Sequence, residues 1–441
     1  MTQPISLRLL ALRYFYKAMN VLYHMPVLGS IIGLTGIIFG SLLDKGINKF
    51  SGRGLKPHFH AGLGDIKNTQ YLESAVIEAM LDSSENSALG RIEEIIWEND
   101  WQQIKINEAR LKHKEGYFPT PLLRLTMPAP AIADKLLNQP GKMAYFKIIA
   151  PLHLSSYDRL EDFPKATKIM LLLPSFNDQG FETRENLMAY DLAQKGIVCI
   201  LLEQYSYGKR CNPTKKHEIP IVVDTVCDLI LKAVATLAEG TALLRHLHQD
   251  GFKNLCIAGL SMGGGLATLI AGALPFKIAT VGITPCHRFG PAFTEYVLAN
   301  ACDYTAVSKK EVSDLLSKFD CRKYPKPKCP EAMVILAASH DGYIHRTLIE
   351  EIAVYIGTSA QFYWLFGGHA STLLLAGKKM QQAVLYAFAA LIGDKPVNKG
   401  LYFSRNKNPI CNPIGDPTRC PLASVQERQE YRRSVGRDAR I

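Results

Sequence analysis

The stretch NLCIAGLSMGGGLA (254–267) constrains the fold of this 441-residue chain more than any other. Its apolar run, 255–258, predicts a buried strand that leads directly into GLSMG (259–263). A G-x-S-x-G sequence between a strand and a helix predicts a sharp turn that lifts a serine hydroxyl above a sheet. Glycine is needed on both sides of the serine because the strand and helix backbones nearly touch there. Ser261 is therefore a candidate nucleophile.

Two further residues are candidates to activate that serine. A serine hydroxyl is a poor nucleophile near neutral pH unless a base lies within hydrogen-bond reach, and the base needs an acid that fixes its tautomer. His369 lies in a Gly-Gly loop after the last predicted strand and is the candidate base. Asp341 follows the preceding predicted strand and is the candidate acid. The chain order Ser261, Asp341, His369 is the order found in α/β hydrolases.

Three other side chains compete for these roles. His340 and His345 lie beside Asp341, but a base on that turn could not also be oriented by Asp341. Glu203 ends another predicted strand and is an alternative acid. The chain order favours a supporting role for Glu203 and the acid role for Asp341.

The oxyanion formed during acyl transfer needs backbone N–H donors. Met262 begins the predicted helix after the serine, where the positive end of the helix dipole lies. The loop PSFNDQG (174–180) follows a buried strand and occupies the position that supplies the second N–H in this fold. We predict Phe176 as that donor, with Asn177 as the alternative. The predicted chemistry requires neither a metal nor an organic cofactor.

Apolar runs alternate with amphipathic helical patterns along the rest of the body, which predicts a mostly parallel sheet flanked by helices. The predicted strands are Lys168–Pro174, Ile197–Glu203, 255–258, Lys277–Pro285, Ala332–Ser339 and Gln361–Phe366. The predicted helices are Arg184–Lys195, 222–248, Ile344–Ile356 and a last helix that ends near Ile392. Residues 286–330, with a helix near 307–319, break this alternation. We predict a small cap over the site there, with an ordinary surface excursion as the alternative.

Four regions follow from these patterns. They are an N-terminal hydrophobic, membrane-associated segment (1–56), a helical extension (57–115), the α/β-hydrolase domain (116–393) and a basic disordered tail (394–441).

The extension and the start of the hydrolase domain carry their own predicted elements. Polar helices are predicted over Thr69–Leu81 and Ala88–Leu111, the second with Trp97 and Trp101 on one face. Strands are predicted over Leu122–Thr126 and Met143–Ile149.

The segment Ala18–Leu43 contains no charged side chain. Its most apolar part, Val27–Leu43, would be about 26 Å long as a helix, close to a hydrocarbon core of about 30 Å. Small residues on one helical stripe favour close helix–helix contact in lipid. That stripe consists of Gly29, Gly33, Gly36 and Gly40. We predict a membrane-embedded helix that can form a homo-oligomer, with an apolar hairpin on the membrane or on the catalytic domain as the alternative.

The formal net charge of +11 is concentrated at the two ends of the chain. Residues 1–56 hold seven Lys/Arg and one acid, residues 394–441 hold ten and five, and the body between them is neutral. A nucleic-acid enzyme would carry a basic face on its folded body, so the pattern argues against that partner. Basic ends fit an anionic membrane surface, with a solvated tail as the alternative at the C-terminus.

The ten cysteines show neither a metal-binding spacing nor a disulfide framework. Cys199 and Cys256 fall inside predicted strands. The pattern predicts reduced thiols in a reducing compartment, and we expect the catalytic domain on the cytoplasmic-side face of a membrane.

Five segments resemble one known family. They are EGYFPTP (115–121), LLEQYSYGKRCNP (201–213), GLSMGG (259–264), DGYIHR (341–346) and FGGHAS (366–371). Their order and spacing over roughly 115–393 resemble the α/β-hydrolase-domain-containing family numbered eighteen. The resemblance implies a serine hydrolase of lipid esters, with Ser261, Asp341 and His369 at the triad positions. For a eukaryotic chain it implies a mitochondrial location and cardiolipin or a similar phospholipid as substrate.

Together these features predict a membrane-associated serine acyl-hydrolase that acts on an anionic phospholipid or lysophospholipid. A soluble esterase or thioesterase is one alternative. A non-catalytic membrane scaffold with the same fold is another.

Overall fold

The computed structural model describes residues 57–84, 87–106, 109–154, 157, 159–212 and 223–394. Its strands are β1 (Ile96–Trp97), β2 (Gln102–Ile106), β3 (Ala109–Pro119), β4 (Met143–Pro151), β5 (Lys168–Leu173), β6 (Ile197–Leu202), β7 (Leu255–Leu260), β8 (Ala279–Ile283), β9 (Met333–Ala338) and β10 (Gln361–Leu365).

The helices are α1 (Ile66–Leu81), α2 (Ala129–Leu136), α3 (Glu182–Arg184), α4 (Tyr190–Gln194), α5 (Val226–Gln249), α6 (Met262–Ala273), α7 (Phe289–Thr294), α8 (Lys309–Leu315), α9 (Arg346–Ile356), α10 (His369–Leu375) and α11 (Gly377–Ile392). A π-helical turn, Glu185–Ala189, joins α3 to α4. Short 3-10 turns lie at Pro121–Arg124, Pro140–Lys142, Leu152–Leu154, Leu160–Asp162, Gly208–Arg210, Val297–Ala301, Leu316–Phe319, Cys321–Lys323 and Pro330–Ala332.

All of these strands join one sheet in the order β1-β3-β4-β6-β5-β7-β8-β9-β10, with β2 paired to β3. Six neighbouring strands are parallel, namely β6, β5, β7, β8, β9 and β10. Strands β4 and β3 extend the sheet in the antiparallel direction. Strands β6 to β9 are buried along their whole length, as expected for continuous apolar strands covered by helices on both faces. The predicted mostly parallel sheet is confirmed.

The strand order reverses direction at β5. The chain passes from β5 to β6 on one side and then returns to β7 on the other side. In open α/β sheets, ligands bind beyond the carboxyl ends of the strands at such a switch point. The loops that follow β5 and β7 therefore meet where a site is expected.

Helix α5 covers the sheet next to this point. A capping box at its start pairs Thr225 with Asp228, and twenty-four residues continue without a break to Gln249. In this box each side chain accepts the backbone N–H of the other residue, which satisfies two donors at the helix start and explains why the helix begins there. The predicted helix over 222–248 is confirmed, shifted by a few residues at its start.

The predicted helix over Ala88–Leu111 is wrong, because this stretch forms β1, β2 and the start of β3. Trp97 packs edge-on against Phe146 of β4 at 5.6 Å, and the Nζ atom of Lys112 lies 3.9 Å from the Trp101 ring. The polar composition has helix propensity, but the tryptophans gain contact area only on a sheet. Tertiary packing therefore overrides the local preference.

Two further details differ from the sequence predictions. The strand predicted over Leu122–Thr126 is a 3-10 turn, since Pro121 occupies its first position and fixes a helical φ. The boundary predicted near residue 115 falls inside β3, which pairs with β4 along nine residues. Residues 57–115 thus hold α1 and strands of the main sheet rather than helices alone.

Residues 286–330 form a helical excursion between β8 and β9, as predicted, and include α7 and α8. The N–H of Val297 donates to the carbonyl of Gly342, which joins the excursion to the loop after β9. Phe293 of α7 lies edge-on to Phe176 at 5.4 Å, which joins it to the loop after β5. The excursion therefore contacts two loops at the carboxyl edge of the sheet.

The predicted N-terminal helix, its stripe of Gly29, Gly33, Gly36 and Gly40, and the basic tail after Asp394 lie outside the described residues. Within the described ranges, every helix is too short or too polar to cross a lipid bilayer. The eight cysteines in those ranges are all free thiols, most of them buried.

Candidate active site

Ser261 lies at the turn between β7 and α6, with φ 53° and ψ −115°. This positive φ is strained for a residue with a side chain and is typical of a nucleophile elbow. A Cβ on Gly259 would lie 2.1 Å from the carbonyl oxygen of Gly263, and a Cβ on Gly263 would lie 2.4 Å from that of Pro174. The glycines of the motif are therefore required by backbone contact, as predicted.

The imidazole of His369 connects this serine to Asp341. Its Nε2 atom is 2.9 Å from Oγ of Ser261, and its Nδ1 atom is 2.7 Å from Oδ2 of Asp341. The side chains of His369 and Asp341 are 8% and 3% exposed, so water competes little for these bonds. A carboxylate beside Nδ1 takes the N–H of that nitrogen and leaves Nε2 free to accept the serine proton.

The other carboxylate oxygen of Asp341 is fixed by the backbone. Its Oδ1 atom accepts the N–H groups of Tyr343 and Ile344 at 2.9 and 2.8 Å. The ring of Tyr343 then packs against that of His369, with centroids 5.1 Å apart. Asp341, Tyr343 and the loop between them therefore hold the imidazole in one orientation.

The competing side chains have other partners. Nδ1 of His340 lies 2.8 Å from Oγ of Ser339, and burial followed by the charge of Arg346 lowers the pKa of His340 to about 4. His345 caps α9 by accepting the N–H of Thr347. The structure places neither histidine at Ser261.

Glu203 does not contact the candidate histidine. Its carboxylate accepts the N–H of Lys209 at 3.1 Å, and burial raises the pKa of Glu203 to about 7. Gly208 has φ 54°, and a Cβ there would lie 1.9 Å from Oε1 of Glu203. Glu203 thus supports the turn that follows β6.

The predicted oxyanion donors lie on the two loops that meet at the elbow. Met262 is the first residue of α6, and the close contact of Gly263 with Pro174 brings the loop after β5 against it. Neither Met262 nor the alternatives Phe176 and Asn177 use their backbone N–H in a hydrogen bond within the described part of the chain. These N–H groups are therefore available to an oxyanion, and their roles stay predictions.

Two side chains that the sequence patterns did not single out hold the loop after β5. The hydroxyl of Tyr207 donates to Oδ1 of Asn177 at 2.6 Å. Nε of Arg184 lies 2.6 Å from Oδ2 of Asp178, and both side chains are almost fully buried. For Tyr207, the one sequence feature that indicated a functional role was its position in a segment that resembles the family. Arg184 had no such feature, because it begins a predicted helix.

Arg184 also ties this loop to the sheet. Its Nη1 atom donates to the carbonyls of Leu172 and Leu202, near the ends of β5 and β6, and its Nη2 atom donates to Gly180. Among the described residues, no cluster of histidine, cysteine, aspartate or glutamate is arranged to hold a metal ion.

A parallel sheet with a serine elbow at its switch point, and with an acid and a histidine on the next loops, is the arrangement of an α/β hydrolase. The family model described as "Alpha/beta hydrolase domain containing 18" matches residues 56–315 and 311–390. The chain therefore belongs to this family, and the resemblance seen in the sequence is confirmed.

Several solved structures are similar to this chain at low identity. An acetyl xylan esterase from Paenibacillus sp. R4 is 12% identical over 71% of this chain and 92% of its own, with a TM-score of 0.44. Est1E from Butyrivibrio proteoclasticus, with bound ferulic acid, is 14% identical over 65% and 99%, with a TM-score of 0.40. The S-formylglutathione hydrolase FrmB from Staphylococcus aureus is 13% identical over 65% and 99%, with a TM-score of 0.37.

Proposed function

We propose that this chain is a serine acyl-hydrolase that cleaves carboxylic esters of lipids. The observation that carries the proposal is the continuous hydrogen-bonded series from Ser261 through His369 to Asp341. A scaffold that had lost catalysis would not need to keep a serine and an imidazole 2.9 Å apart at a strained elbow.

The geometry supports a two-step acyl transfer. His369 takes the proton of Ser261 through Nε2 as Oγ attacks the carbonyl carbon of the ester, and Asp341 stabilises the imidazolium. The N–H groups of Met262 and Phe176, or Asn177 in place of Phe176, stabilise the oxyanion, each by about 3 kcal/mol. The imidazolium then protonates the leaving alcohol. In the second step His369 deprotonates water, which attacks the acyl-enzyme and regenerates Ser261.

Aromatic side chains at the loop after β5 support a lipid substrate. Phe176 is half-buried on that loop, and it packs edge-on to Phe293 and to His58 at 5.4 and 5.5 Å. An apolar, aromatic surface on the loop next to the serine elbow favours contact with an acyl chain. The sequence resemblance to the family numbered eighteen implies the same class of substrate.

The ends of the chain support action at an anionic membrane. The apolar segment 18–43 has the length to enter a bilayer, and the neutral body carries a basic segment at each end. Anionic phospholipids such as cardiolipin are therefore the substrates that we propose. In a eukaryotic cell the proposed location is the mitochondrion.

The nucleophile is tested with a fluorophosphonate probe. Ser261→Ala should abolish labelling of the full-length protein and release of fatty acid, since Oγ of Ser261 is the hydroxyl oxygen that lies 2.9 Å from Nε2 of His369. Ser339→Ala is the matched control, because Ser339 is at the same edge of the sheet and also contacts a histidine. Full labelling of Ser261→Ala would contradict the proposed mechanism. Loss of labelling in Ser339→Ala would instead indicate that Ser339 and His340 form the reactive pair.

The substrate class is tested with vesicles. We expect the wild-type protein to release fatty acid faster from vesicles that contain cardiolipin than from vesicles of phosphatidylcholine alone, with no release by Ser261→Ala. Hydrolysis of p-nitrophenyl acetate or of an acyl thioester without release from any vesicle would establish a soluble esterase or thioesterase instead.

A further inference from the structure

The loop after β5 forms a tight turn directly beside the elbow. The N–H of Asp178 donates to the carbonyl of Ser175, and Asn177 between them has φ 64°. Asparagine tolerates this left-handed conformation better than most residues, but it does not enforce it. The N–H groups of Phe176 and Asn177, the two candidates for the second oxyanion donor, belong to this turn. Its conformation therefore decides where those donors point.

A side chain from the neighbouring loop fixes the turn. The hydroxyl of Tyr207 donates to Oδ1 of Asn177 at 2.6 Å, across 30 positions of sequence. Tyr207 is 1% exposed, so water does not compete for this bond. A short, buried hydrogen bond between two neutral groups is well suited to hold one conformation of a loop.

Tyr207 itself has little freedom to move. The N–H of Tyr207 donates to the carbonyl of Gln204, and the carbonyl of Tyr207 accepts the N–H of Arg210. The ammonium of Lys232 lies 3.8 Å from the centre of its ring. The next residue, Gly208, is held at φ 54° against the carboxylate of Glu203. The phenol of Tyr207 is therefore held in one position on the loop that follows β6.

We propose that Tyr207 is a positioning residue for the oxyanion hole. It holds Asn177 so that the N–H of the turn lies where negative charge develops on the substrate. The inference rests on the proposed acyl-hydrolase function. It adds a third loop, the one after β6, to the two loops that form the site. The hydroxyl of Tyr207 donates to Asn177, so it acts on the oxyanion hole through the turn.

The test compares Tyr207→Phe with the wild-type protein on one ester substrate. Because the lost bond acts on transition-state stabilisation, we expect kcat to fall about tenfold while KM changes less than about twofold. The affinity for a trifluoromethyl ketone, which becomes an oxyanion when Ser261 adds to it, should fall by a similar factor. A merely structural role would not lower kcat and inhibitor affinity together at constant KM.

Tyr205→Phe is the matched control. Tyr205 is on the same turn and is 4% exposed, but its hydroxyl interacts with Asn138 and Ser206 instead of the loop after β5. We expect its kcat and its inhibitor affinity to stay within about twofold of the wild type. An equal loss in both tyrosine variants would show a general effect of buried hydroxyls and overturn the proposal.

A double-mutant cycle with Asn177→Gly identifies the path of the effect. Glycine accepts φ 64° without strain and removes the side-chain oxygen that accepts from Tyr207. If Tyr207→Phe does not fold, Asn177→Gly therefore tests the same hydrogen bond. If Tyr207 acts through Asn177, the double variant should be no slower than Asn177→Gly alone. Losses that multiply in the double variant would contradict the proposal.

Different outcomes would remove the proposed function and the role of Tyr207. Absence of ester hydrolysis and of probe labelling in the wild-type protein would remove the proposed function and this inference with it. Hydrolysis at the wild-type rate by Tyr207→Phe, with an unchanged inhibitor affinity, would remove the inference and leave the triad intact.

Discussion

The two loops that meet at Ser261 are held in opposite ways. At the elbow, conformation depends on missing side chains, since a Cβ on Gly265 would lie 1.8 Å from the carbonyl oxygen of Cys286. In the loop after β5, conformation depends on side chains that are present, namely Tyr207 on Asn177 and Arg184 on Asp178. The first loop is fixed by steric contact of backbones, and the second by buried polar bonds.

The two loops also differ in where the residues that specify their conformation lie along the chain. The glycines of the elbow stand within four residues of Ser261, so one short motif specifies the turn. Tyr207, in the segment after β6, reaches the other loop only when β5 and β6 are paired, and Arg184 donates to carbonyls of both strands. We therefore expect different variants to disturb the elbow and the loop after β5.

The largest expected effect is on the loop after β5, which buried polar side chains hold. Arg184→Met should lower the free energy of unfolding by about 3–5 kcal/mol, because Asp178 is left buried without its counter-ion. Urea unfolding followed by circular dichroism measures the change. Arg91→Met is the matched control, since Arg91 is 62% exposed in its pair with Asp250, and it should change stability by less than about 1 kcal/mol. Equal losses in the two variants would contradict this view of the loop.

A somewhat smaller effect is expected at the elbow. Gly265→Ala should destabilise the protein by about 3 kcal/mol, because two backbones in contact have to separate. Gly240→Ala in α5 is the control, since its Cβ would meet only the flexible ends of Ile270 and Leu173 at 3.0 and 3.4 Å. There the helix preference for alanine, about 1 kcal/mol, offsets the crowding. Thermal unfolding of both variants measures the difference, and similar melting temperatures would show that the elbow can relax.

The smallest expected effect concerns the lysine beneath Tyr207. Burial lowers the pKa of Lys232 to about 7, well below its usual value. Between pH 7 and about pH 10 the unfolded chain therefore binds more protons than the folded one, so this lysine makes stability rise with pH. Relative to Lys232→Met, the free energy of unfolding of the wild type should increase by about 1.4 kcal/mol per pH unit in this range.

Urea unfolding at pH 7, 8 and 9 measures this slope. Lys67→Met, on the exposed side of α1, is the matched control for the removal of one lysine side chain. A pH-independent difference for Lys232→Met would mean that Lys232 is not buried as a neutral amine at high pH.

Sequence patterns located the strands of the body because their apolar runs are long and uninterrupted. They failed over 88–111, where lysines and glutamates suggested a helix and the structure has β1 and β2 with the start of β3. There the decisive contacts are those of Trp97 with Phe146 and of Lys112 with Trp101, and such contacts exist only after the sheet forms. An edge hairpin is selected by its neighbours, not by its own propensities.

From β5 onward, the sequence by itself predicted the order of strands and helices and the serine elbow, and it identified Ser261, Asp341 and His369 as candidate site residues. The reason is that buried parallel strands and tight glycine turns leave patterns within a few residues. Only the tertiary structure decided that Tyr207 and Arg184 hold the loop after β5, and that Glu203 supports a turn instead of His369. The bond of Tyr207 to Asn177 joins residues that are 30 positions apart, and the energies of all three contacts depend on burial, which a single segment does not encode.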